Sequence, residues 1–141
     1  MKYLDFFSHI ITEAHGDYTT VPLGDEGVDW FIAGRKSIVL IDKGSASGKY
    51  DELVKHIKKH NLPYVEFQGL AGPNKPLQFA AGQKGKEQDL QKLKASYEHA
   101  VKQGPDEKFH RTVGTLLGYS QKDINTFIER LRAYQKQKAT G

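Results

Sequence analysis

Lys43-Gly44-Ser45-Ala46-Ser47-Gly48-Lys49 places two lysines around a run of small residues, a composition suited to holding an anion. The run lies between an apolar strand pattern, Ser37 to Asp42, and a helical pattern, Tyr50 to His60. At such a junction, free backbone N–H groups and the positive end of the helix can receive a negative charge. Asp42, Lys43, Gly44, Ser45, Ser47, Gly48 and Lys49 are therefore the candidate ligand residues, with Gly72 from a second turn, Gly69 to Gly72, expected beside them. The run departs from the phosphate loop of nucleotide triphosphatases, which needs four residues between its glycines and Ser or Thr after its lysine. Here three residues separate Gly44 from Gly48, and Tyr50 follows Lys49. That departure excludes triphosphatase chemistry and leaves two readings, an anionic or nucleotide ligand, or a plain strand-to-helix turn.

A second constellation runs from His110 to Phe127. Gly114 and Gly118 fall four apart, and Val113, Leu117, Ile124 and Phe127 take the apolar positions around them, which resembles the DNA-binding helix-turn-helix pattern. On that resemblance Gln121, Lys122, Asn125, Thr126 and Arg130 lie on a recognition helix, with Asp123 and Glu129 opposing phosphate. The same spacing also suits any compact helical hairpin. Three further groupings lack a part. His56 and His60 are spaced for a shared metal, but Lys55, Lys58 and Lys59 surround them and no third ligand is evident, so no metal is expected. His110-Arg111-Thr112 resembles half of the paired signature of two-histidine phosphoesterases and has no second half. Asp29, Asp42 and Glu66 invite comparison with metal-dependent nucleases, yet the acidic-x-Lys triplet is missing. With no catalytic set complete and no cofactor motif present, a non-enzymatic protein is expected.

The elements that must position these residues are legible in periodicity. Tyr3, Phe6, Phe7, Ile10, Ile11 and Ala14 form the stripe of an N-terminal amphipathic helix, and Tyr18 to Val21 suits a short edge strand. Val28 to Ala33 and Ser37 to Asp42, separated by Gly34-Arg35-Lys36, predict an antiparallel hairpin. Ser37 to Gln68 reads as a βαβ unit, its helix stopping at Asn61 and Pro63, its strands adjacent and parallel. Leu77 to Ala81 adds one further short strand. Three helices follow: one on Leu90, Leu93, Tyr97, Ala100 and Val101, one on Phe109, Val113, Leu116 and Leu117, and one capped by Ser120 with Ile124, Phe127, Ile128, Leu131 and Tyr134 inward. Beyond Tyr134 the chain is expected to fray. The sum is an α+β fold: a mixed sheet of four to five short strands containing a hairpin and one βαβ unit, an N-terminal helix and a C-terminal bundle of three helices. A chain of 141 residues suits a single domain, 1–141.

Charge is unevenly spread: residues 1–70 hold 8 Lys+Arg against 10 Asp+Glu, and residues 71–141 hold 13 against 7. The basic half suits phosphates or an acidic protein surface. No cysteine is present, which removes disulfides and thiolate chemistry, and no apolar run approaches a membrane span. The opening apolar run carries Asp5 and His9, unlike a secretory leader. Met1 to Ala14, as Met1-Lys2-Tyr3-Leu4-Asp5-Phe6-Phe7-Ser8-His9-Ile10-Ile11-Thr12-Glu13-Ala14, resembles the start of small accessory proteins of T-even-like tailed bacteriophages. That resemblance implies a protein of the host cytoplasm that binds and inhibits host or defence factors. The leading expectation is thus a cytoplasmic protein that engages a macromolecular partner, foremost a protein, with anion binding at 43–49 and DNA binding through 110–131 as alternatives.

Overall fold

The computed structural model describes residues 24–140. Among them stand α1 (Gly24–Ile32), β1 (Ile38–Asp42), α2 (Lys49–His60), β2 (Tyr64–Phe67), β3 (Gln78–Gly82), α3 (Glu87–Gln103), α4 (Glu107–Leu116) and α5 (Gln121–Thr140). The expected helix over Tyr3 to Ala14 and strand over Tyr18 to Val21 lie outside the described residues. None of the described helices is long and apolar enough to cross a membrane.

The α+β class holds, and the sheet differs from expectation in order and direction of pairing. Its three described strands stand in the order β1-β3-β2. β3 pairs antiparallel with both neighbours, Ile38 to Asp42 against Gly82 to Gln78 on one side and Tyr64 to Phe67 against Ala81 to Gln78 on the other. β1 and β2 therefore run in the same direction, as a right-sized helical crossover requires, but β3 is inserted between them. The unit is a split βαβ rather than a pair of adjacent parallel strands, and the sheet is antiparallel rather than mixed. The physical reason is the composition of β3. Phe79, Ala80 and Ala81 are buried, and the two alanines are so small that helices can close over both faces of the strand.

Side-chain alternation then divides the core. Ile38, Leu40, Val65, Phe67 and Ala80 face Leu90, Leu93 and Tyr97 of α3 and the apolar faces of α4 and α5. Val39, Ile41, Phe79 and Ala81 face Val28 and Phe31 of α1 and Leu53 and Ile57 of α2. Two helical layers thus enclose one small sheet, which explains why Ile38 to Ile41 is apolar without alternation.

The predicted hairpin strand Val28 to Ala33 is instead the second half of α1. Val28, Trp30 and Ile32 mimic strand alternation, but Val28 and Phe31 are the fully buried pair, spaced by three. The helix is closed by Gly34 at φ 78°, with Arg35 N–H donating to Trp30 O at 2.8 Å and Gly34 N–H to Phe31 O at 3.0 Å. That pair of bonds is a Schellman closure, in which glycine supplies the left-handed residue. Trp30, half-buried, lies under the Arg35 guanidinium at 4.0 Å from its ring centre. Gly34 thus stops a helix rather than turning a hairpin.

The three C-terminal helices appear where expected, with two adjustments. Val101 is exposed rather than part of the α3 stripe, and α5 continues to Thr140 rather than fraying after an exposed Tyr134. Asn61 closes α2 in the left-handed conformation, and Ser120 Oγ accepts the Asp123 N–H at 3.1 Å, as the sequence suggested.

The close approach of α3 to β3 is measurable. A Cβ added at Gly82 would stand 2.8 Å from Lys86 Cβ and 3.2 Å from Leu90 Cδ1. Gly82→Ala is expected to lower stability by about 1–3 kcal/mol through overpacking, read as a lower urea midpoint at unchanged slope. An unaltered midpoint would show that the helix does not press on the strand there.

Candidate functional sites

The turn after β1 is built as anticipated, with Gly44 and Gly48 both at positive φ, 71° and 83°. Its charges, however, are already matched. Lys43 Nζ donates to Glu66 Oε2 at 3.0 Å, and Lys49 Nζ reaches Asp29 Oδ1 at 2.6 Å and Glu52 Oε2 at 3.3 Å. Ser47 Oγ donates to Asp25 Oδ1 at 3.0 Å and lies 3.4 Å from Ser45 Oγ. Asp42 Oδ1 accepts from Gln78 Nε2 at 2.6 Å. The hydrogen bonds to Glu66 and Asp29 raise the pKa values of Lys43 and Lys49, so both lysines stay cationic while serving carboxylates. An incoming anion would have to displace those carboxylates and face Asp25, Asp29, Glu52 and Glu66 nearby.

The expected placing of Gly72 beside the 43–49 turn, at the ends of two adjacent parallel strands, is also altered. The carboxyl ends of β1 and β2 do lie at one edge, since Asp42 and Phe67 both pair with Gln78. The start of β3 stands between them, and the Gln78 side chain bonds across to Asp42. Gly72, at φ 114°, belongs to the loop joining β2 to β3 at this same edge. Asp29, one of three carboxylates expected on neighbouring strands, is on α1 and holds Lys49 instead. Among the described residues no group of three or more His, Asp or Glu side chains is arranged to hold a metal ion. His56 and His60 do lie together, with ring centres 4.5 Å apart and planes tilted by 50°, and burial, followed by the charges of His60 and Lys59, lowers the His56 pKa.

The second candidate is the pair α4 and α5. Every apolar position of the pattern is buried: Val113, Leu117, Ile124 and Phe127 are all at most 2% exposed. Gly118, at φ 95°, closes α4 with Tyr119 N–H to Gly114 O at 3.0 Å and its own N–H to Thr115 O at 3.1 Å. Gln121, Lys122, Asn125 and Arg130 are exposed and Thr126 is half-buried, whereas Asp123 is buried beside Tyr119. One of the two carboxylates expected to oppose phosphate is thereby withdrawn from the outer face.

Three polar rungs join the helices. Gln121 Nε2 donates to Thr115 Oγ1 at 3.0 Å, and Arg111 Nη1 donates to Asn125 Oδ1 at 2.6 Å. Arg132 grips Glu107 through Nε at 2.5 Å and Nη2 at 2.7 Å, which lowers the Glu107 pKa. Glu107, Arg111 and Thr115 recur every four residues along one face of α4, a spacing visible in the sequence but without meaning until the partner helix is in place. Their partners appear in reverse order along α5. A rung at the far end of α4 keeps the helices side by side, whereas the helices of a DNA-reading helix-turn-helix diverge at roughly 90–120°. Exposed ion pairs contribute little stability, so the buried apolar side chains set this packing and the rungs trim it.

No protein-family model, curated protein or solved structure matches the chain.

His110 links this pair to pH. It is buried between the rings of Phe109 and Phe127, at 5.4 Å and 5.1 Å between centres. Burial pushes its pKa down to about 4 despite opposing attraction from Asp106 and Glu107. A histidine whose folded pKa lies below its unfolded value takes up protons preferentially when unfolded. Stability is therefore complete above pH 6.5 and falls as pH drops from 6.5 towards 4, by up to about 3 kcal/mol. Urea midpoints across that window should decline in the wild type and flatten in His110→Phe; parallel profiles would remove His110 as the cause.

Proposed function

We propose that this chain is a non-enzymatic binding protein whose macromolecular partner is duplex DNA, engaged along the outer face of α5. One observation carries the reading: Lys122, Asn125, Thr126, Arg130 and Lys136 recur at helical spacing on a helix with Asp123 turned into the core. At 20 residues, α5 is about 30 Å long, and a helix of this width fits the major groove. Because the outermost rung holds α4 and α5 together, α5 would present its length rather than its N-terminal tip alone. Glu129 is the one exposed carboxylate among the described residues of α5, and Arg130 flanks it. The surrounding half of the chain is basic, which favours approach to phosphate.

The turn at 43–49 supports a structural role better, since each lysine there holds a carboxylate in place. The Lys43–Glu66 pair ties the end of β1 to β2, and the Lys49–Asp29 pair ties the start of α2 to α1.

A protein partner is the second reading. Tyr64 and Tyr134 are exposed at 56% and 52%, and aromatic side chains are enriched at protein interfaces. Its signature would be capture of a protein that Tyr64→Ser or Tyr134→Ser releases.

DNA binding makes a quantitative prediction. If Lys122, Arg130 and Lys136 each neutralise a phosphate, the logarithm of affinity should fall with the logarithm of salt at a slope of about −3. Arg130→Ala should weaken binding to duplexes of every sequence and make that slope shallower by about 1. Fluorescence anisotropy of a labelled duplex measures both, and a wild-type protein that leaves the duplex unbound at low salt would refute the proposal.

A further inference from the structure

We infer that Arg111 sets the base preference of Asn125, turning the middle of the α5 face into a hydrogen-bond donor patch that selects guanine. The inference rests on the duplex-DNA reading and goes beyond it by naming the base and the residue that chooses it.

Arg111 Nη1 bonds to Asn125 Oδ1 at 2.6 Å. A guanidinium has donors only and does not lose its proton, so the amide beside it must offer oxygen rather than nitrogen. This fixes an orientation that is otherwise ambiguous for asparagine. The amide nitrogen, with two hydrogens, is then the group of Asn125 left uncommitted. Asn125 is exposed and Arg111 half-buried, so the pair stands at the lip of the α4–α5 seam, where a groove-bound duplex would meet it.

Free asparagine suits adenine, because its oxygen accepts from N6 while its nitrogen donates to N7. Here the oxygen already serves Arg111. It keeps a second lone pair, but an adenine amino group donating there would bring its partial positive charge against the guanidinium that already holds the same oxygen. Guanine instead offers two acceptors, N7 and O6, to a patch composed of donors. The neighbouring rung works differently. Gln121 spends an amide hydrogen on Thr115 Oγ1 and retains its oxygen, so Gln121 and Asn125 present unlike chemistry one turn apart.

The same donors would also suit phosphate oxygens, and the experiment separates the two. Full-length protein at low salt selects duplexes from a randomised pool, and the bound fraction is sequenced. Wild type is expected to enrich guanine over adenine about tenfold at one position, the discrimination of one good base contact. Arg111→Met frees the Asn125 oxygen and should convert that preference to adenine at the same position, while Arg111→Lys, still a donor, should retain guanine. Thermal melting of each variant confirms that it is folded. Duplex binding without base preference at any position would mean that the patch meets phosphate, and would overturn this inference while leaving DNA binding intact. Retention of guanine by Arg111→Met would overturn it in the same way. Absence of duplex binding by the wild type would overturn both.

Discussion

The burial of β3 on both faces is the constraint from which the rest of the arrangement follows. Ala80 and Ala81 are wholly inaccessible to solvent, and Phe79 nearly so, in a strand with ladder partners on each side. A central strand needs its backbone groups paired in both directions, because buried amides without partners are costly. Once β3 has taken that place, β1 and β2 become its flanks and their shared direction follows from the antiparallel ladders. The helical crossover between them can then cover one face, and α3 the other. Gly82 extends this logic to the end of the strand, where a side chain would collide with the start of α3.

Helix closure supplies the second layer of control. α1, α2 and α4 each end at a residue of positive φ, Gly34, Asn61 and Gly118, with backbone bonds that turn the chain back across the last helical turn. Such closures fix the direction in which the chain leaves. Gly34 releases it toward β1, with Gln83 Nε2 bonded to Phe31 O and Lys36 O across the junction. Gly118 releases it toward α5, with the Asp123 carboxyl buried at the start of that helix. Lys36, also buried, has its pKa lowered to about 8 by desolvation, so the α1–β1 connection carries a charge held at an energetic cost.

Charge pairing distinguishes the 43–49 turn from the outer face of α5. Around residues 43–49 lysines and carboxylates from α1, α2 and β2 satisfy one another, and the local chemistry is spent on holding elements together. Along α5, Lys122 and Arg130 project from a helix whose acidic Asp123 is inside. The rungs between α4 and α5 belong to both descriptions, since they bond the helices while also determining which atoms of Gln121 and Asn125 are left for a partner. A polar seam of this kind has functional content because each donor used within the protein changes what the outer surface can recognise.

The sequence specified the α+β class, the positions of β1, α2, β2 and the three C-terminal helices, and the stop at Asn61, because these depend on local periodicity and on residues with special backbone freedom. It also placed Val113, Leu117, Ile124 and Phe127 in one core. It misread Val28 to Ala33, where apolar residues at 28, 30, 31 and 32 satisfy both periods and only packing against Leu53 and Ile57 favours the helix. Strand order was decided by tertiary structure alone, since nothing local to Tyr64 to Phe67 records that β3 rather than β1 is its neighbour. The pairing of lysines at 43 and 49 with distant carboxylates, and of Arg111 with Asn125, was likewise decided only when separate elements met, because a side chain's partner is set by distance in space and not along the chain.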